Sequence, residues 1–118
     1  MMAVKLMQIR IPLVFVLMAS AGCSVSGLQE KKPLFVGKTE KNAVSVARCI
    51  GPRWQDINPS TSVTETEKGY RVLVSDSSFG ALVLATIVEG SDGASATIQA
   101  SSAFGAAKDF VRAAKGCM

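Results

Sequence analysis

Three runs decide the fold: Tyr70-Arg71-Val72-Leu73-Val74-Ser75, Ala81-Leu82-Val83-Leu84-Ala85-Thr86-Ile87-Val88-Glu89 and Ala94-Ser95-Ala96-Thr97-Ile98-Gln99-Ala100-Ser101. The first places Tyr70, Val72 and Val74 on one side. The third alternates strictly, with Ala94, Ala96, Ile98 and Ala100 opposed to Ser95, Thr97, Gln99 and Ser101. A period of two is the mark of a half-buried strand. The middle run is nearly all apolar, so it reads as a central strand. Gly80, Gly90 and Asp92-Gly93 mark the turns between them.

Upstream, Ser62–Thr66 reads as a polar fourth strand ahead of Gly69. A two-residue loop, Lys68-Gly69, would set Glu65 and Glu67 beside Val72 and Tyr70 on the core face. A three-residue loop, Glu67-Lys68-Gly69, sets Thr64 and Thr66 there instead. Burying carboxylates is costly, and Gly69 suits the left-handed position of the longer loop, so the longer loop is expected.

A helix is expected on each side of these strands. After a cap at Thr39, Ala43, Val46, Ala47 and Ile50 recur at helical spacing, and Gly51-Pro52 reads as the stop. Arg53–Ser60 then reads as irregular chain. The second helix is expected from about Ser102 to Lys115, burying Ala103, Ala107, Phe110, Val111 and Ala114, with Gly116 ending it. The expected fold is α+β in two layers: helix, four-stranded antiparallel meander, helix, with both helices on one face.

The amino end is of a different kind. Of 118 residues, Met1–Gly22 holds four of the five methionines, and without Lys5 and Arg10 the net charge falls from +4 to +2. Lys5 and Arg10 precede the apolar run Ile11–Met18, and Ala19-Ser20-Ala21-Gly22-Cys23 follows. A basic region, a short apolar core and small residues at a cleavage point describe an export signal. Ile11–Gly22 as a helix would span only roughly 18 Å, against a hydrocarbon core of about 30 Å.

Ala19-Ser20-Ala21-Gly22-Cys23 resembles the lipobox of bacterial lipoproteins. The resemblance covers about the first 25 residues and departs from the usual pattern at Ser20, where the family generally has leucine. It implies cleavage before Cys23, lipid on its thiol and acylation of the new amino end. Ser24 in place of aspartate implies sorting to the outer membrane, with the domain facing the periplasm. The expected organisation is a signal peptide at 1–22, a lipidated cysteine and polar tether at 23–33, and a small domain at 34–118.

With Cys23 lipidated, Cys49 and Cys117 are left to pair, as exported cysteines do. In the chain-entropy model that bridge stabilises by roughly 4 kcal/mol. If both cysteines end their helices, bringing their Cα atoms within about 7 Å requires roughly parallel helices. Gly51–Ser60 would then return along the sheet.

Catalytic chemistry finds little here. There is no histidine, so a Cys–His pair and a histidine-containing zinc site are both excluded. Asp76-Ser77-Ser78 reads as a turn, and Glu65, Glu67 and Glu89 fit exposed strand or turn-end positions. No cofactor or metal is expected, and the modest charge argues against nucleic acid. Two features remain as binding candidates. Arg53 and Trp54 are residue types enriched in binding hot spots, but a small domain with few aromatics needs its large ones inside, so the lone tryptophan is expected in the core. Lys108, Arg112 and Lys115 recur at i, i+4 and i+7, a basic stripe that could meet anionic headgroups or acidic polymers, although the preferred reading is a solvated face whose charges suit a helix C-terminus. The expectation is a non-catalytic binding or structural module of the envelope, attached to the membrane through Cys23, with an envelope protein or polymer as partner. The alternative is an inhibitor or exclusion factor that inserts Arg53–Asn58 into a hydrolase or receptor.

Overall fold

The computed structural model describes Val25–Ser101 and Phe104–Met118. The segment expected as a signal peptide, 1–22, and Cys23 lie outside the described residues, as do Ser102 and Ala103 at the expected start of the second helix. The described elements are α1 (Val25–Gln29), β1 (Phe35–Thr39), α2 (Ala43–Ile57), β2 (Thr61–Thr66), β3 (Gly69–Asp76), β4 (Gly80–Gly90), β5 (Gly93–Ala100) and α3 (Ala107–Lys115). The α+β class holds, but the antiparallel sheet has five strands in the order β1-β5-β4-β3-β2. The four-strand meander is present as expected. The fifth strand, β1, pairs Phe35 with Ile98 and Thr39 with Ala94.

The alternation in β3 and β5 does what the pattern requires. Val72, Val74, Ala94, Ala96, Ile98 and Ala100 join Val83, Ala85 and Ile87 of β4 in one buried layer. Val46, Ile50 and Trp54 of α2 and Phe110 of α3 pack on that layer, so both longer helices cover the same face. β4 is apolar on its other side as well, because Leu84 and Ala81 meet Leu28 of α1 there. Residues 25–31, expected as a free tether, are therefore a strap on the second face of the sheet. Gln99 secures it: its side-chain Nε2 donates to the carbonyls of Gln29 at 2.9 Å and Lys31 at 2.8 Å.

Two expectations about α2 are corrected. α2 is capped by Asn42, whose Oδ1 accepts from the Ser45 N–H at 2.9 Å. Thr39 instead ends β1 and donates its hydroxyl to the Met118 carbonyl. Gly51-Pro52 does not stop the helix, which runs on to Ile57. Pro52 lies on the exposed side, where water can satisfy the Arg48 carbonyl that loses its donor. Gly51 is buried where α2 crosses β2, and a Cβ there would stand 2.7 Å from Val63 Cγ2. That glycine serves close packing rather than termination.

The first hairpin takes neither expected form. Thr66 pairs with Gly69, so the loop is Glu67-Lys68 and Glu65 faces Tyr70. Glu65 stays exposed because β2 is an edge strand and this end of it is open, so no carboxylate is buried. Gly69 is not in the left-handed region, which among the described glycines belongs to Gly80 and Gly93. A Cβ on Gly69 would instead collide with the Ile87 carbonyl.

Cys49 and Cys117 form the expected disulfide, with Cα atoms 5.6 Å apart. The helices it joins run antiparallel, not parallel. Going forward along α2 from Cys49 to Arg53 and Trp54, the partners go backward from Cys117 to Ala113 and Phe110. The expected geometry assumed that Cys49 ended its helix, whereas it lies in the middle of α2. Replacing both cysteines by serine should lower unfolding free energy by roughly 4 kcal/mol, read as a reduced urea midpoint. An unchanged midpoint would show that the bridge does not hold the fold.

Candidate functional site

α3 carries one apolar face and one charged face. Ala107, Phe110 and Ala114 are buried against the sheet and α2. The same 3.6-residue period turns Lys108, Arg112 and Lys115 outward to one side, over the edge strand β1. There they line a groove of about 490 Å³ together with Ala107, Val111 and Leu34. Leu34 immediately precedes β1, and its N–H donates to the Ile98 carbonyl at 2.7 Å. Its side chain is 53 % exposed, an apolar wall facing three cations.

The cations meet no carboxylate among the described residues. Lys108 and Arg112 form no ion pair with any described residue. Lys115 sits over the ring of Phe35, its Nζ 5.6 Å from the centroid, a cation–π contact that holds the charge above β1. The groove thus offers guanidinium and ammonium donors beside Leu34 and Val111. That combination suits an anionic group carried on an apolar or extended backbone. A guanidinium can bind a carboxylate or phosphate through two parallel bonds, which the lysines cannot do.

The other candidate pair separates. Trp54 is fully buried. Its ring meets Phe110 edge-on at 5.3 Å, and its Nε1 donates to the Phe110 carbonyl at 3.0 Å. It is a core residue that locks α2 to α3. Arg53 is exposed and donates to the Ala113 carbonyl at 3.3 Å, lying over Gly116 at the end of α3. The segment expected as an insertable loop, Arg53–Asn58, is helical through Ile57.

Sequence reading missed the contribution of Leu34, just ahead of β1, to the groove. Leu34-Phe35-Val36 after Pro33 was the available signal, a short apolar run with proline at its start. Glu89 was also missed, read only as an exposed strand end. Its Oε2 accepts from the Ala43 N–H at the start of α2 and ties β4 to that helix. Among the described residues no three histidine, cysteine, aspartate or glutamate side chains converge as metal ligands would. No described helix is long and apolar enough to cross a membrane.

No match to a family model, to a curated protein or to a solved structure was found for this chain.

The contrast between Trp54 and Arg53 can be measured. Trp54→Ala should cost about 3–5 kcal/mol of stability, as for a large aromatic lost from a core. Arg53→Ala should cost less than about 1 kcal/mol. Urea unfolding of the two variants checks this, and equal costs would refute the assignment of Trp54 to the core alone.

Proposed function

We propose that this protein is a small exported lipoprotein of the bacterial cell envelope that acts as a non-catalytic binding module. Lipid on Cys23 holds it at the outer membrane, with the domain facing the periplasm. Its partner is an anionic envelope protein or polymer, received in the groove between α3 and β1. The observation that carries this reading is the placement of Lys108, Arg112 and Lys115 along one groove, with Leu34 as its apolar wall. Supporting it are the export signal and lipobox-like residues Ala19–Cys23, and the disulfide, which suits an oxidising compartment. Stable anchoring takes more than one acyl chain, and a lipidated, acylated Cys23 supplies them.

Two experiments test the two halves of this reading. The intact mass of the protein extracted from membranes should correspond to a chain that starts at Cys23, carries acyl chains and lacks two thiol hydrogens. A Cys23→Ser variant should lose the acyl mass. A wild-type chain that keeps Met1–Gly22, or starts elsewhere without lipid, would end the lipoprotein reading.

For the groove, the full chain in neutral detergent should be retained on a polyglutamate matrix at low salt and released as salt rises, since exposed charges are screened. Lys108→Glu with Arg112→Glu should weaken retention roughly tenfold or more, whereas Lys31→Glu with Lys32→Glu should leave it within about twofold. Equal loss in both pairs would mean that net charge, not the groove, is being read.

A further inference from the structure

The register of the sheet gathers several unrelated features at one end. That end holds the end of β3, the start of β4 and the end of β5, because Asp76 pairs with Gly80 and Val83 with Ala100. The β3–β4 turn closes it. Asp76 Oδ1 accepts from the N–H groups of Ser78 at 2.7 Å and Phe79 at 3.1 Å, and Gly80 takes the left-handed conformation with φ 74°. A turn fixed in this way holds Phe79 out in solvent. Its side chain is 80 % exposed, more than any other large hydrophobic residue among those described.

The strap lies beside it. Ala81, two residues after Phe79, packs with Leu28 and Val25 of α1. Leu28 is buried and the carbonyls of Gln29 and Lys31 are held by Gln99, so α1 is fixed to this end of the sheet. Lys31 and Lys32 follow it, both exposed. Val25 is two residues from Cys23, a contour of only about 7.6 Å between Cα atoms. A lipid on Cys23 therefore brings the bilayer surface to this end of the domain and to no other.

We infer that the β3–β4 turn is a second membrane contact, in which Phe79 enters the headgroup–acyl boundary on the same end of the domain as the Cys23 anchor. The inference rests on the lipid-anchor reading. An exposed aromatic ring is favourable at the interface because it leaves water there. The anchor makes this contact effectively intramolecular, so one ring suffices where it would not bind a membrane alone. The contact fixes how the domain stands. The opposite end of the sheet, with the Glu67-Lys68 loop, points away from the membrane.

The test compares two single substitutions in the full-length gene product, purified from membranes and reconstituted in vesicles of phosphatidylethanolamine and phosphatidylglycerol. Phe79→Trp reports the proposed contact and Lys68→Trp the far end, with Trp54 as a common buried background. Intact mass on the same samples records the acyl chains. Phospholipids brominated near the headgroup end of the acyl chain should quench Phe79→Trp, whose indole would lie about 5–10 Å into the boundary, and leave Lys68→Trp unchanged. Acylated protein with equal quenching at both positions, or none at either, overturns the membrane contact and leaves the lipid-anchor reading intact. A blue-shifted but unquenched Phe79→Trp overturns it in favour of a second copy covering the turn. Protein without acyl mass overturns both.

Discussion

The structure depends on α2 continuing through Pro52. Trp54 reaches the core only if the helix makes another turn beyond the proline, and the core has no other residue of that size. Interior proline costs a helix about 3 kcal/mol or more, and burying a large aromatic with its N–H satisfied offsets a cost of that order. Once Trp54 is in place, its bond to the Phe110 carbonyl sets the position of α3. Cys49, one and a half turns earlier on the same helix, then meets the residue just past the end of α3. The antiparallel helix pair, the disulfide and the outward turn of the cationic stripe all follow from that one continuation.

What the sequence disclosed and what it concealed divide along physical lines. Alternation in Tyr70–Ser75 and Ala94–Ser101 was decisive because a strand with one buried face must repeat every two residues. The disulfide was legible because the expected export signal and the count left Cys49 and Cys117 for each other. Gly51-Pro52 misled because both residues break helices by local propensity, while here each answers to its surroundings: Gly51 to the close approach of Val63, Pro52 to solvent. The hairpin register misled for a related reason. The cost assigned to Glu65 on the core face assumed that the face was covered at that point, and at an edge strand's open end it is not.

The candidate site was half legible. The stripe of Lys108, Arg112 and Lys115 is a property of one helix, and helical spacing reveals it. Its apolar counterpart, Leu34, comes from a segment 74 residues earlier that sequence reading placed at the start of the domain without assigning it a strand. Five residues of β1 carry too short a pattern to declare themselves, and only pairing with β5 makes them a strand. A site built across an edge strand and a distant helix leaves each half looking like ordinary surface.

The strap limits what the proposed lipid on Cys23 would allow. A free ten-residue linker would have a mean reach of about 17 Å and would let the domain tumble above the bilayer. Gln99 removes that freedom. It sits on the outward-facing side of β5 where alternation calls for a polar residue, and it is nonetheless buried at 7 % exposure. Its amide is satisfied by two carbonyls of the strap, which accounts for a buried polar group in a half-exposed strand position. With α1 docked, orientation relative to the anchor becomes a property of the fold rather than of a tether. The start of α3 lies at the same end of the sheet as α1, because β5 ends there. The cationic groove therefore runs from the end of the sheet that carries α1, at Lys108, toward the opposite end, at Lys115, along the flank of the domain. With the proposed lipid on Cys23, a ligand lying in it would be held upright on the membrane rather than flat against it.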